Sequence, residues 1–220
     1  MMTNLREKIK EALLRADFDS IISLAMKEKR VFRILISLAY DKTELICWRA
    51  IEAIGKAAGA VKQKDPDFVR NIVQRLLWSL SEESGGIGWS APDMLGEIVI
   101  NAPDQFQDLP PIILSFRDEE SFLPGVLWAM TRMVSSGIDS LDRDLCRDII
   151  NKSFNDRSPT VRGLSIWAAS VLKMKDLNDR ISRLLKDDQE FLFYEDHKLR
   201  EMSVRKMAER FFEGENKKQA

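Results

Sequence analysis

The segment W-S-A-P-D, Trp89 to Asp93, sets an indole and a carboxylate four residues apart, one turn and one face of a helix. A π surface beside an anion is chemistry for a cation: the ring face attracts positive charge, worth about 0.5–2 kcal/mol per contact, and the carboxylate supplies the counter-charge. Such a pair suits a Lys- or Arg-bearing peptide, or a cationic intermediate in catalysis. Other reactive groups are sparse. The single histidine, His197, is the one base open to a Ser-His-Asp or Cys-His mechanism, and its setting in Y-E-D-H-K reads as a solvated helix entry. Cys47 and Cys146 lie far apart with no CxxC spacing, so both read as reduced packing residues, and a Cys/His zinc site lacks ligands. G-G-I-G from Gly85 has no strand before it and no Gly-Lys-Ser/Thr after it, so it is not a phosphate loop. Glu82, Glu83 and Asp93 read as a solvated acidic turn rather than a divalent-cation site. No metal and no cofactor is expected, and the chain reads as non-enzymatic.

Charge narrows the partner. The net charge is −1, and between Glu82 and Glu120 nine acids face one base, Arg117. A nucleic-acid backbone is repelled by such a surface, so the expected partner is a protein or peptide, with a basic one favoured. No apolar run approaches the roughly 20 residues of a membrane span, and the charged N-terminus carries no secretory h-region, which makes a cytoplasmic protein the expectation.

The elements that would position these residues are helices. Apolar residues recur at three and four, as in V-F-R-I-L-I-S-L-A-Y and F-V-R-N-I-V-Q-R-L-L-W-S-L, and no segment holds a period of two. The chain is therefore expected to be all-α, with breaks rich in Asp, Ser, Pro and Gly. Aligning the segments that start at Ile46, Ile87, Phe122 and Val161 exposes a repeat. Positions 1, 5, 8 and 9 are apolar or small in each, and the starts are 41, 35 and 39 residues apart. A fifth copy starts at Val204. Residues 1–214 read as one domain, residues 1–30 as capping helices at the open end of a stack, and 215–220 as a disordered tail.

N-D-R-S-P-T-V-R, Asn155 to Arg162, resembles the HEAT-repeat signature, with Ser158 placed to cap, Pro159 to open the helix and Arg162 to reach back to Asp156. D-K-T-E-L-I-C-W, from Asp41, is similar, with Thr43 as cap and Cys47 where the arginine would stand. The segment around Gly85 also resembles uncharacterised bacterial HEAT-like proteins, which adds no function. The resemblance implies a right-handed α-solenoid of about five HEAT-like helix pairs serving as an interaction scaffold. Positions 3 and 7 of the second helices would then line the concave face: Trp48 and Glu52, Trp89 and Asp93, Pro124 and Trp128, Gly163 and Trp167. Trp78, in a first helix, is expected in the core. Either the four tryptophans seal seams between repeats, or at least two of them face a ligand. The candidate binding surface comprises Trp48, Glu52, Gly85, Gly86, Trp89, Asp93, Glu97, Trp128, Arg132 and Trp167. The HEAT-like alkylpurine DNA glycosylases are similar in the Trp-x-x-x-Asp spacing at Trp89 and Asp93. They carry arginines in the following helix, where this chain has Pro124 and Gly125 and no arginine before Arg132. An obligate subunit of a larger complex is the other alternative. The second helix of the glycine-bearing repeat should start late, near Ser90, with Pro92 in its first turn after a loop from Ser84 to Gly88.

Overall fold

In a computed structural model the described residues, 4–81 and 88–216, form twelve α-helices and one two-stranded hairpin. The first two helices, α1 (Leu5–Leu14) and α2 (Phe18–Ala25), are capped by the side chains of Asn4 and Asp17 and pack against α3 (Arg30–Leu38) and α4 (Leu45–Val61). They lie at one end of the row of helix pairs. From α3 onward the helices come in pairs. α3 pairs with α4, α5 (Pro66–Ser81) with α6 (Ala91–Asn101), α7 (Leu109–Ser115) with α8 (Leu123–Ser135), and α9 (Arg143–Ser153) with α10 (Pro159–Val171). α11 (Asn178–Arg183) and the 3-10 turn Leu184–Lys186 serve α12 (Val204–Asn216) in the same way. The second helices α4, α6, α8, α10 and α12 lie side by side in that order, which makes the fold an all-α solenoid.

Burial explains why the second helices form the spine. In α6 every residue from Ala91 to Val99 is buried, including Asp93 and Glu97, because first helices cover one side and neighbouring second helices flank the others. Small residues let the spine close up: a Cβ on Gly55 in α4 would lie 2.4 Å from the carbonyl oxygen of Glu97 in α6. One contiguous apolar core runs from Ile9 to Phe211 and contains Ala50, Met94, Ala129, Ala168 and Ala208 from the five repeated segments.

Several local expectations change. α6 starts at Ala91 behind a 3-10 turn, Gly88–Ser90, with Pro92 in its first turn, which is the late start the proline requires. Ser90 makes no capping bond there, because its side chain is buried inward. Thr43 does not cap α4 either: its backbone N–H and hydroxyl both donate to Asp41, and the helix begins after Glu44. Trp78 is not core. The buried stripe of α5 runs through Val69, Ile72, Val73, Leu76 and Leu80, and Trp78 lies off it, 64% exposed. Gly85 and Gly86 lie outside the described residues. At the other end α12 continues to Asn216, and residues 217–220 are likewise outside them.

The larger departure is a β-hairpin inside the fifth pair, between α11 and α12. Strands β1 (Glu190–Glu195) and β2 (Lys198–Ser203) pair antiparallel, with Glu195 opposite Lys198 and Glu190 opposite Ser203. Asp196 and His197 sit at φ of 52° and 59°, the pair of left-handed residues that a two-residue type I′ turn needs. His197 is thus a hairpin turn residue rather than a helix entry. Period-two alternation is hard to see in F-L-F-Y-E because Phe191, Phe193 and Tyr194 are all buried, so both faces of β1 meet protein.

Candidate functional site

The hairpin lies across the faces of the second helices and occupies much of the surface that the sequence pattern assigns to a groove. Phe191 packs where α10 carries Gly163; a Cβ there would stand 2.2 Å from the phenyl ring. Trp167 meets Phe193 edge-on at 5.2 Å between ring centroids. At the far end Tyr194 stacks on Trp48 at 5.6 Å and 13°, and Trp48 in turn lies 5.4 Å from Trp128. Trp48 and Trp128 are buried and Trp167 half-buried, so these three seal the seam between hairpin and solenoid. The indole N–H of Trp48 donates to the Lys42 carbonyl at 2.9 Å, which fixes the loop before α4.

The acids of this face are consumed internally. The Glu52 carboxylate accepts the Tyr194 hydroxyl at 2.8 Å, faces His197 Nδ1 at 2.8 Å and takes an ion pair from Lys56 at 3.4 Å. Burial, together with the Glu52 charge, pushes the Tyr194 hydroxyl well above its ordinary pKa. Arg49 completes the clasp: it donates to the His197 carbonyl at 2.8 Å and to the Leu13 and Leu14 carbonyls at the end of α1. Glu97 accepts from Arg132 at 2.8 Å, and the Arg132 guanidinium lies 5.6 Å from the Trp128 ring centre. Asp93 accepts from Lys42 Nζ at 2.6 Å. Burial raises the pKa of both Asp93 and Glu97, against the pull of their cationic partners. Gly125 makes room for the Asp93 pair, since a Cβ there would stand 2.7 Å from the carboxylate oxygen.

Trp89 and Asp93 therefore do not act together. Trp89, on the 3-10 turn, is 55% exposed, while Asp93 is fully buried beneath it. The four-residue spacing misleads because the helix starts only at Ala91, so the two residues never share its face. A cationic base cannot reach Asp93 in this arrangement. Of the ten candidate residues, Trp89 presents itself to solvent; Trp48, Glu52, Asp93, Glu97, Arg132, Trp128 and Trp167 serve the hairpin and the spine. Cys47 and Cys146 are buried free thiols, pushed up to about 12 and about 11 mainly by burial.

What remains open is a pocket of about 380 Å³ between β1 and the N-terminal ends of the second helices. Leu192, Phe193 and Tyr194 form its hairpin side, Trp48, Trp128 and Leu164 its apolar floor, and Trp89 stands at its edge. Thr43, Ser121, Pro124, Ser158 and Thr160, from the starts of α4, α8 and α10, complete it. Its charged groups are already partnered: Lys42 with Asp93, and Glu120 with Arg157. Sequence reasoning missed the hairpin contribution. The signal is Asp196-His197, a two-residue turn between aromatic-rich and charged runs.

The turn before α10 ties one helix pair to the next. Pro159 opens the helix and buried Arg162 reaches back, donating to the Asp156 and Arg157 carbonyls at 2.7 and 3.0 Å and to the Asp187 carboxylate at 2.7 Å. The carboxylate partner is Asp187, not Asp156. The architecture is that of an α-solenoid of helix pairs. No protein-family model matches the chain. An uncharacterized protein of Archaeoglobus fulgidus is 27% identical over 169 residues, 73% of this chain and 84% of that protein. Among solved structures, a designed armadillo repeat protein in complex with the peptide (KR)4 is similar at 15% identity and a TM-score of 0.46, over 96% of this chain and 99% of that one. An archaeal HEAT-like repeats protein from Thermococcus onnurineus is similar at 18% identity and a TM-score of 0.40, over 97% and 81%.

Proposed function

We propose that this protein is a non-enzymatic HEAT-like scaffold that holds a segment of a protein or peptide partner in the pocket between β1 and the starts of the second helices. The observation that carries the reading is an aromatic-walled pocket of about 380 Å³ with the half-exposed Trp89 at its edge. A concave site that is apolar, with a few polar groups at the rim, is the usual form of a recognition site. Exposed tryptophan is the side chain most enriched at binding hot spots.

The hairpin restricts where a partner can sit. Trp48, Trp128 and Trp167 cannot receive a ligand on faces already covered by Tyr194 and Phe193. Nor does the acidity of the middle of the chain select a basic partner here, because Glu52, Asp93 and Glu97 are buried and ion-paired. The site is the pocket rather than the whole concave face.

Thr160→Trp fills the pocket from the α10 side with little effect on the core. Capture from native cells with the full chain and with this variant, quantified side by side by mass spectrometry, tests the reading. Partners enriched by the native chain should be lost by Thr160→Trp at unchanged helical circular dichroism. Identical partner sets for the two chains would end the proposal.

A further inference from the structure

Three consecutive residues of β1, Leu192 to Tyr194, line the pocket. A type I′ turn places a hydrogen-bonded pair directly beside it, here Glu195 and Lys198, and the ladder then alternates through Phe193–Arg200 and Phe191–Met202. The N–H and C=O groups of Leu192 and Tyr194 accordingly point away from β2. The sheet has two strands, and no backbone group among the described residues bonds these four groups from outside it. Leu192 and Tyr194 both line the pocket, and Tyr194 is buried. Buried backbone polar groups are almost always paired, so an edge left open inside a pocket calls for a partner.

The opposite wall indicates the charge of that partner. Helices α4, α6, α8 and α10 all begin without a side-chain cap, as do α3, α7 and α11, whose starts do not line the pocket. The N-terminal ends of the first four carry partial positive charge toward the pocket rim, where residues preceding or opening α4, α8 and α10 lie. A second group points the same way: the indole N–H of Trp128, a pocket residue only 1% exposed, has no hydrogen-bond partner. Donors without acceptors favour an occupant that brings oxygen atoms, and a carboxylate above all.

We propose that β1 is the receiving edge for an extended segment of a partner protein, which adds as a third strand by backbone hydrogen bonds at Leu192 and Tyr194. One bulky apolar side chain of the segment enters among Trp48, Trp128 and Leu164, and an acidic side chain lies toward the uncapped helix starts. This rests on the pocket being the binding site, and it adds the mode and the chemistry of the partner. Strand addition of this kind takes its affinity from main-chain bonds and its specificity from alternate side chains.

The probe is a nonapeptide selected from a randomised display library against the full chain, then synthesised in parent form, with alternate amides N-methylated in either register, and with its acidic residues replaced by amides. Binding is read by fluorescence anisotropy. One N-methylated register should weaken binding about tenfold or more while the other leaves it nearly unchanged, since an edge bonds every second peptide amide. Leu192→Pro should produce the same loss, because it removes a donor that points away from β2 and so spares the hairpin ladder; near-ultraviolet circular dichroism of the Trp48–Tyr194 stack checks that it does. Replacing the acid should weaken binding several-fold. Loss with Thr160→Trp, together with indifference to both N-methyl registers and to Leu192→Pro, would leave the pocket as the site and overturn strand addition. Indifference to Thr160→Trp, or a library that returns no binder, would overturn both. A dimer in sedimentation that Leu192→Pro dissolves would make a second copy the occupant and overturn the partner segment.

Discussion

Gly55→Ala sets two opposed effects against each other in one helix. Gly55 lies within α4, and alanine in a helix interior is ordinarily more stable than glycine by about 1 kcal/mol. Here the new methyl would lie 2.4 Å from the carbonyl oxygen of Glu97 and 2.6 Å from its carbonyl carbon. Those atoms belong to the backbone of α6 and cannot rotate away, so the two spine helices must separate by about an ångström, against a core at crystal-like density. Overpacking of this kind costs about 1–3 kcal/mol, and a backbone obstacle puts it toward the upper end. The net expectation is a loss of about 2 kcal/mol, or a fall in Tm of about 4–8 °C for a chain of this size. Gly214→Ala supplies the control: it lies in α12, where a Cβ meets nothing within 4 Å, and it should keep the propensity gain. Thermal melts followed at 222 nm compare the three chains. A Gly55→Ala protein as stable as the native one would refute the close approach of α4 and α6 on which the description of the spine depends.

Three further outcomes are expected. Tyr194→Phe keeps the stack on Trp48 but removes the bond to the Glu52 carboxylate, and urea titration should show a loss of about 1.5–3 kcal/mol; no loss would mean that the clasp is not formed. Asp93 has a folded-state pKa raised above its unfolded value of 3.8, so it binds protons more readily in the folded chain. Its contribution to stability must therefore decline as pH rises from about 4 through the raised value, and urea titrations of native and Asp93→Asn chains at pH 4 and pH 7 should find the variant comparatively better off at pH 7; the opposite slope would contradict the burial. Trp78 and Trp89 are the strongly exposed indoles, so most of the iodide-quenchable tryptophan fluorescence should be lost in the Trp78→Phe, Trp89→Phe double variant, leaving the share of half-buried Trp167. Full persistence of that component would mean that Trp48 or Trp128 is open to solvent.

The solenoid was legible because its signal repeats. Small and apolar residues at fixed offsets, Pro159 at a helix start and Arg162 reaching back into its turn each state the same architecture locally, and their agreement along the chain makes it readable. The site was legible in part. Trp48, Trp89, Trp128 and Trp167 do belong to one neighbourhood, but which of them faces water depends on a segment about 150 residues distant in sequence from the first. Nothing in the helical period of α4 announces that Tyr194 will cover it. Burial of Asp93 was hidden for a different reason: the local sequence fixes a late helix start, yet the depth of that start depends on Gly125 and Lys42, which come from neighbouring repeats. Contacts between repeats carry no periodicity of their own.

The hairpin also sets a length. A six-residue strand spans about 20 Å, whereas packed helices step by about 8–10 Å, so three steps from α4 to α10 come to about 24–30 Å between axes. The strand and the side chains that anchor it together make up that span, with Phe191 and Phe193 engaged on α10 and the His197 carbonyl held by Arg49 on α4. Open solenoids grow or shrink by whole repeats with little penalty, because each unit touches only its neighbours. This one is gauged. A repeat inserted between α4 and α10 would carry Arg49 and Glu52 beyond the turn that joins them to the C-terminal end, so copy number here is a property the fold measures.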